Sequence, residues 1–343
     1  MTRSIALITA LALAGLTGCQ TPRTTDLLPS DARRMPAEWE EQEAVWLQWP
    51  NADWNETGIE DAFTEIVRVV AQYETVRLLA NDDATEERGR SKLAGIDGTI
   101  EWYQAPVAAT WMRDNGPRYV LVDGEMVLQN WEFDGYHDGR PASMWRDDND
   151  NPDAVAALLD LPLEQVGLVH ERGDLEVNGS DTAIVNWSVV GHRNPGITRA
   201  QATEQFRAAL GVERVIYLEG FDPSDVTRGH VDGAARFVNA TTVVVPDNGT
   251  QLYEDFARQI AEQAPDLTVR RLQLHPDDPT INWLIGDGFL LTGTTGDANA
   301  DADIAEELKE YFPDRAMHFI DIGALWQNGG GVHCVTNDQP AAP

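Results

Sequence analysis

Two periods of hydrophobic and polar positions alternate along most of the chain. Apolar residues spaced three to four apart predict amphipathic helices, and short apolar runs bounded by turn residues predict strands. The predicted helices span residues 59–73, 152–159, 199–210, 251–264 and 303–311. The predicted strands and hairpins span residues 45–50, 75–80, 116–128, 175–179, 182–187, 215–218, 230–246, 269–274, 282–292 and 317–322.

These elements repeat in one order, a strand pair with a tight turn, a helix and another strand, with a period of about 55–60 residues. Such a period is typical of radial or stacked folds. It predicts an α/β fold built as a pseudo-symmetric propeller of five blades. The run that carries Cys334 then closes the ring against residues 45–50. The alternative is an ordinary α/β domain in which the elements only alternate.

Residues capable of chemistry lie at one position in several of these units. Asp114, Glu171, His230 and Cys334 all fall just before or at the start of a predicted hairpin. Equivalent positions in a propeller converge on the central axis. We therefore favour the ring over the ordinary domain and expect these side chains to form one site.

The N-terminal residues have the composition of a targeting segment. A basic start, a short apolar run and small residues at the end predict a signal peptide over 1–18. The ending Leu16-Thr17-Gly18-Cys19 resembles the lipobox of bacterial lipoproteins, which implies acylation of Cys19. Residues 19–34 are polar and aperiodic, as expected of a lipid-anchored tether, and 35–343 form one domain. The predicted location is the cell envelope, and the alternative is an ordinary signal peptide cleaved nearby.

Composition narrows the classes of partner. The chain of 343 residues has a formal net charge of -32 and is 42% hydrophobic, which is a globular composition. This charge makes nucleic-acid binding unfavourable and attracts cationic ligands. The two cysteines are Cys19 and Cys334, so a processed chain has one thiol left and no internal disulfide.

The segment from Asn328 to Thr336 places three glycines before a cysteine in a strand-like run. Glycine allows a backbone to approach a ligand closely. Cys334 is therefore a candidate nucleophile, and its alternative role is that of a small buried hydrophobic residue.

Three further segments supply acids and a base. Asp114 precedes a Gly-Pro break, and Glu171 stands in the same relation to its own hairpin. His230 and Asp232 are two residues apart in a predicted strand, which places them on one side of it. Each residue alone could be structural. His230 and Asp232 could also be half of a metal site, but no companion ligand cluster is present, and we predict no metal and no cofactor.

This set of residues suits one substrate group. A guanidinium is planar and cationic, and two carboxylates can bind it through paired hydrogen bonds. Its carbon is a poor electrophile, so it needs a strong nucleophile such as a thiolate. A histidine can protonate departing ammonia and then deprotonate a water molecule.

The motifs resemble those of the agmatine deiminases and of their relatives, the Porphyromonas-type peptidylarginine deiminases. The resemblance covers residues 35–340 and rests on the segments 35–50, Trp111-Met112-Arg113-Asp114-Asn115-Gly116-Pro117, Gly229-His230-Val231-Asp232 and Gly329-Gly330-Gly331-Val332-His333-Cys334. It implies a five-fold α/β propeller of the pentein type. It also implies hydrolysis of a guanidinium to a ureido group and ammonia.

The resemblance also implies residue roles. Cys334 would be the nucleophile, His230 the general acid and base, and Glu171 the residue that orients His230. Substrate binding would involve Asp114, Asp232, Trp111 and Gly331. This chain departs from the family pattern at one motif: the family commonly has Glu-Gly-Gly-Asn where this chain has Glu171-Arg172-Gly173-Asp174. The difference changes the local charge and so bears on the identity of the substrate rather than on the chemistry.

Agmatine is the expected substrate, with N-carbamoylputrescine as the product. One alternative is a peptidylarginine deiminase, for which Arg113, Arg118 or Arg172 could receive a peptide carboxylate; we favour instead that these arginines neutralise nearby acids. Another alternative is a non-catalytic lipoprotein that captures guanidino compounds or polyamines. A thiol after three glycines, together with His230, favours the enzyme. The oligomeric state is not predicted.

Replacing Cys19 with alanine is expected to abolish lipid attachment and release the protein from the membrane fraction, because the acylated thiol is removed. Fractionation of cells that express either form measures this. Activity in lysates should not change, and wild-type protein found only in the cytosol would contradict the predicted anchor.

Overall fold

The computed structural model describes residues 26–30, 32–52, 58–275 and 278–342. The predicted signal peptide and the lipidation site Cys19 lie outside these residues and stay predictions. Within the described ranges, no helix has the length and apolar character needed to cross a bilayer.

Helices of very different length occur in the described residues. The α-helices are α1 Ile59–Val70, α2 Asp83–Lys92, α3 Met112–Asn115, α4 Arg146–Asn149, α5 Asn151–Leu159, α6 Trp187–Arg193, α7 Arg199–Leu210, α8 Gln251–Gln263, α9 Ala298–Lys309, α10 Gly323–Gln327 and α11 Val332–Val335. Single turns of 3-10 helix are Ala142–Met144, Arg172–Asp174, Val231–Gly233 and Pro279–Ile281.

The strands are short. They are β1 Arg33–Arg34, β2 Gln42–Gln48, β3 Thr75–Ala80, β4 Ile100–Gln104, β5 Arg118–Val122, β6 Glu125–Asn130, β7 Leu163–Gln165, β8 Glu176–Val177, β9 Thr182–Asn186, β10 Arg214–Leu218, β11 Arg236–Asn239, β12 Thr242–Asp247, β13 Thr268–Gln273, β14 Leu284–Gly286, β15 Phe289–Gly293, β16 Ala316–Ile320 and β17 Thr336–Pro340.

Five sheets in the described residues share one plan. In each, a first strand pairs antiparallel with a second, which pairs parallel with a third reached through helical chain. The triplets are β17-β2-β3, β5-β6-β7, β8-β9-β10, β11-β12-β13 and β14-β15-β16. Strands β4 and β1 extend the edges of the first two sheets. The predicted mixed α/β class is confirmed, and the five-bladed propeller stays a prediction.

The first sheet joins the two ends of the described chain. Strand β17 runs antiparallel to β2, with Thr336 opposite Leu47 and Asp338 opposite Val45. This is the pairing that the sequence predicted for the run carrying Cys334. It brings the residues before β17 beside those near the start of the domain.

Part of the segment assigned to the tether contacts the body of the protein. Strand β1 pairs with β5, and Arg33 forms a salt bridge of 2.7 Å with buried Glu164. Asp26 forms an isolated bridge with Gln165.

Each sheet buries one face against its helices. In the fourth unit, Phe256 and Ile260 of α8 pack against Phe237 and Val243 of the sheet, and all four are fully buried. Burial of a side chain of this size stabilises the fold by about 1.5–3 kcal/mol. The strand ends are thereby held in fixed positions, which matters because the candidate site residues precede them.

A short helical turn precedes the first strand of every triplet. These turns are α3, Arg172–Asp174, Val231–Gly233, Pro279–Ile281 and α11. α3 contacts α11 and Arg172–Asp174, and the contacts continue through Val231–Gly233 to Pro279–Ile281. Asn282, which ends the Pro279–Ile281 turn, bonds back to His333 of α11. The five turns therefore form one cluster.

The prediction that Cys334 lies in a strand is wrong, because it lies in α11. The left-handed φ of 100° at Gly329 turns the chain just before this helix. The Thr336 hydroxyl donates to the Val332 carbonyl at 2.9 Å and closes the turn. Pairing with β2 begins only at Thr336, so the nucleophile candidate sits ahead of the sheet.

The prediction of a strand at His230 and Asp232 is also wrong. Arg228 and Gly229 have left-handed φ values of 67° and 91°, which reverse the chain before His230. The backbone N–H groups of Ala234 and Ala235 then bond to the Val231 carbonyl and form a 3-10 turn. Strand β11 starts only at Arg236.

Candidate active site

The helical turns bring the predicted site residues together. Asp114 comes from α3, Glu171 and His230 precede their 3-10 turns, and Asp232 lies within the second of these. Cys334 comes from α11. These groups surround a single space, although they are far apart in sequence.

His230 lies between two carboxylates. Its Nδ1 is 3.5 Å from Oδ1 of Asp114, and its Nε2 is 3.6 Å from Oε2 of Glu171. Burial lowers the pKa of His230, but Asp114, Glu171 and Asp232 outweigh burial and raise it to about 10. The imidazole is therefore protonated at neutral pH and can act as an acid.

Asp114 is held by two donors. Its Oδ1 accepts the backbone N–H of Gly173 at 3.0 Å, and its Oδ2 accepts the Tyr136 hydroxyl at 2.9 Å. Burial raises the pKa of Asp114 to about 6, and His230 opposes this shift. The carboxyl is thus ionised near neutral pH and loses its charge just below it.

Arg193 balances the charge of Glu171. Its Nε donates to Oε1 of Glu171 at 2.7 Å, and both side chains are fully buried. Burial raises the pKa of Glu171, but Arg193 and His230 outweigh it and lower the pKa below its ordinary value. Glu171 is a permanent anion that can hold the proton of His230 in place.

The Cys334 thiol faces Asp232 and Asn282. Its Sγ is 3.8 Å from Oδ2 of Asp232 and 3.5 Å from Oδ1 of Asn282. Burial and the charges of Asp232 and Asp114 raise the pKa of Cys334, and a backbone hydrogen bond from Gly331 opposes them. The raised pKa favours the neutral thiol in the free site.

Trp111 lies beside the nucleophile. A Cβ added to Gly330 would lie 2.4 Å from Cζ3 of Trp111 and 3.0 Å from Cβ of Cys334. Trp111 is half-buried, so part of its side chain is accessible to solvent. Gly330 is required here because the indole ring leaves no room for a side chain.

Gly173 forms one face of the site. A Cβ added to it would be 2.6 Å from Oδ1 of Asp114, 2.6 Å from Nδ1 of His230 and 3.3 Å from Oδ2 of Asp232. The three polar atoms therefore converge on the volume beside this glycine.

Sequence reasoning missed Asn282, Tyr136 and Gly173. Asn282 accepts the backbone N–H groups of His333 at 3.0 Å and of Cys334 at 3.3 Å. The signal for Asn282 was its position, since it precedes the hairpin of the fifth unit as Asp114 and Glu171 precede theirs. Tyr136 follows a glycine in an irregular loop, where no pattern identifies its hydroxyl.

Arg172 and Asp174, which differ from the residues common in the family, bond to buried groups next to the site. Arg172 bonds through Nη2 to both carboxylate oxygens of Asp338 at 2.8 Å, and through Nη1 to Asn337. Asp174 accepts from Nε2 of His170 at 2.9 Å and from the backbone N–H of Asn186. Arg172 and Asp174 are both buried. Their difference from the family motif therefore changes ion pairs inside the protein.

One group beside the site has the composition of a metal centre. The ligand atoms of Glu38, Glu176 and His333 lie within 4.8 Å of one another. Arg236 donates to Oε1 of Glu176 at 2.5 Å and to Oε2 of Glu38 at 2.7 Å. The guanidinium already supplies the positive charge between the two carboxylates, so the group does not fit a metal ion.

Comparison with known proteins identifies the family. A family model described as Porphyromonas-type peptidyl-arginine deiminase matches residues 34–340. The chain belongs to the Porphyromonas-type peptidyl-arginine deiminase family. This confirms the resemblance predicted from the sequence and the prediction of an enzyme.

Similar members of the Porphyromonas-type peptidyl-arginine deiminase family include curated and solved proteins. The agmatine deiminase of Pseudomonas aeruginosa strain LESB58 is 28% identical over 91% of this chain and 96% of its own. The structure of the Enterococcus faecalis agmatine deiminase matches with a TM-score of 0.83 and 22% identity over 93% of this chain and 100% of its own. A Porphyromonas gingivalis structure, provisionally assigned as an arginine deiminase, matches with a TM-score of 0.80 and 26% identity over 91% and 99%.

Replacing Gly173 with alanine is expected to lower kcat/KM by at least about 100-fold, because its methyl group would displace Asp114 or His230 from the shared space. Steady-state assays with a guanidino substrate measure this. Gly233→Ala is the matched control, since a Cβ there meets nothing within 4 Å. Equal activities of the two variants would show that the volume beside Gly173 is not used.

Proposed function

We propose that this protein is a deiminase that hydrolyses a guanidinium to a ureido group and ammonia, with agmatine as substrate. The observation that carries the proposal is that the Cys334 thiol and the His230 imidazole face one space bounded by Asp114 and Asp232. Curated relatives such as the Pseudomonas aeruginosa protein carry the name agmatine deiminase. A protein that only binds guanidino compounds needs the carboxylates but not the thiol.

Binding of the guanidinium begins the proposed reaction. Asp114 and Asp232 accept its N–H groups from two sides, and Trp111 lies along the aliphatic chain. The bound cation stabilises the thiolate of Cys334, whose pKa is raised in the free site by burial and by the same carboxylates. Substrate binding therefore activates the nucleophile, and the thiol proton leaves to solvent.

The thiolate then adds to the guanidinium carbon. His230 donates its proton to one amino nitrogen, the C–N bond breaks, and ammonia leaves. The product of this step is a thiouronium on Cys334, and His230 is neutral. Glu171 is 3.6 Å from Nε2 of His230 and favours the return of a proton to that ring.

Water completes the cycle. Neutral His230 accepts a proton from a water molecule, whose oxygen adds to the thiouronium carbon. The C–S bond breaks, the thiolate is restored, and the protonated product oxygen loses its proton to solvent. The atoms balance as guanidinium plus water giving a ureido product and ammonium.

The surroundings of the site favour a small dication over a peptide. Arg113, Arg118 and Arg172 were the candidate receptors for a peptide carboxylate, and all three are buried. Arg113 and Arg172 bond to Asp338, and Arg118 bonds to His170. The net charge of -32 attracts agmatine, which carries two positive charges.

The proposal includes the predicted architecture and location. The contacts among the five helical turns support an arrangement of the five units as blades of a pentein-type propeller around the site. The lipobox-like Leu16-Thr17-Gly18-Cys19 supports an exported, lipid-anchored enzyme.

Cys334→Ser is expected to reduce deimination of agmatine by at least about 1,000-fold, because serine replaces the thiolate that forms the covalent intermediate. Colorimetric detection of the ureido product measures turnover. The dissociation constant for agmatine, measured by calorimetry, should stay within a few-fold of the wild-type value. Substantial product from the serine variant would exclude thiol catalysis, and absence of product from wild-type protein would reject the deiminase.

Agmatine is expected to have a higher kcat/KM than a peptide that ends in arginine, because the arginines near the site are engaged by Asp338 and His170. Parallel assays of agmatine, free arginine and the peptide measure this. A preference for the peptide would change the substrate while leaving the deiminase chemistry in place.

A further inference from the structure

His333 stands next to the candidate nucleophile and contacts two carboxylates. Its Nδ1 is 2.8 Å from Oδ2 of Asp232, and its Nε2 is 3.0 Å from Oε2 of Glu38. The side chain is 2% exposed. Neither the family roles assigned above nor the proposed reaction uses this ring.

Backbone contacts on both sides fix the position of His333. Its N–H donates to Oδ1 of Asn282 at 3.0 Å, and its carbonyl accepts from Nε of Arg113 at 3.1 Å. α11 therefore presents the His333 ring and the Cys334 sulfur from one rigid turn.

Glu38 is fixed as well. Its Oε1 accepts the backbone N–H of Ile285 at 2.7 Å, and its Oε2 accepts from Arg236 at 2.7 Å. The contact between Oε2 and Nε2 of His333 requires one proton between them. Because the pKa of Asp232 is lowered, its carboxyl is ionised, and the proton in the 2.8 Å contact with His333 is assigned to Nδ1 of the ring.

Asp232 depends on this donor. In the described part of the chain, the hydrogen bonds to its carboxylate come from His333 and from the Cys334 thiol. The thiol bond disappears once the thiolate forms. The carboxylate that must bind the guanidinium then keeps His333 as its protein donor.

We propose that His333, oriented by Glu38, is a positioning residue that donates from Nδ1 to Asp232 and holds this carboxylate ionised beside the Cys334 sulfur. The inference rests on the proposed deiminase function and assigns a role to His333 within the same site. His333 does not touch the substrate and acts through Asp232.

The charges around this pair set the expected pH dependence. Asp232 lies near His230, Asp114, Cys334 and Arg236. Arg113, Arg236 and Glu38 surround His333. Burial raises the pKa of Asp232, but the hydrogen bond from His333 and the nearby charges, among them those of His230 and Arg236, together outweigh burial and lower the pKa. Removing the donor should therefore raise this pKa and weaken substrate binding most at low pH.

Two amide variants separate the two ring nitrogens. In His333→Asn, the amide nitrogen takes the place of Nδ1 and can still donate to Asp232. In His333→Gln, it takes the place of Nε2 and can reach only Glu38. The two side chains differ by one methylene group and are both uncharged.

The test measures kcat and KM for agmatine from pH 5 to 9 and, in the Cys334→Ser background, the dissociation constant. His333→Gln should lose about 10- to 100-fold in kcat/KM at neutral pH, with its acidic limb moved to higher pH. His333→Asn should stay within a few-fold of wild type with its acidic limb in place. His318→Gln, at a histidine that bonds to Tyr73, is the control for histidine loss.

Equal losses in both amide variants at every pH would overturn the proposal and leave a structural role for His333. Wild-type behaviour of His333→Gln would also overturn it. If wild-type protein does not turn over agmatine, the proposed function fails, and the dissociation constants still decide whether His333 supports Asp232. If the glutamine variant does not fold, spectra of 15N-histidine-labelled wild-type protein decide instead. A ring without a proton at Nδ1 would reject the proposal.

Discussion

Burial of charge is the constraint on which this structure depends. Asp114, Glu171 and Asp232 are all at most 7% exposed, and an unpaired ion in such a position costs several kcal/mol. Buried arginines supply the compensation: Arg193 pairs with Glu171, and Arg236 pairs with Glu38 and Glu176. Asp114 and Asp232 share one nearby imidazolium, that of His230, so neutralisation is least complete where the substrate cation would bind. This incomplete neutralisation would favour binding of a guanidinium.

The same balance determines the protonation states of His230 and Cys334 in the free site. His230 keeps its proton because three carboxylates lie near it, and Cys334 keeps its proton because burial, together with the charges of Asp232 and Asp114, raises its pKa. In the proposed reaction, a bound cation offsets the effect of the carboxylates on Cys334. A thiol that ionises only on substrate binding would be less open to oxidation in the free site than a permanent thiolate.

Much of the fold could be predicted because its elements are locally encoded. The helix Arg199–Leu210 follows a capping box at Thr198 and Gln201, and the Asp123-Gly124 turn has the left-handed geometry that these residues favour. The single turns around His230 and Cys334 could not be recognised, since one helical turn has no periodicity and is stabilised by its neighbours. The two errors at these segments have this common cause.

The charged site residues could be predicted because each precedes a hairpin in its unit. Asn282 occupies the same position but is neutral, and an amide acceptor for two backbone N–H groups has no sequence pattern of its own. The partners of Arg172 and Asp174 could not be predicted either. Arg172 pairs with Asp338 and Asp174 pairs with His170. Only the folded chain brings Arg172 to strand β17, which contains Asp338.

The hydrogen bond between Glu38 and His333 joins residues separated by 295 positions. Strand β17, which positions the segment containing Cys334, is also the last strand of the described residues. The site is therefore assembled from the first and the last parts of the domain. A growing chain cannot complete the candidate site while residues 333–340 are still inside the ribosome, so the order of synthesis delays assembly of the site until that segment has emerged.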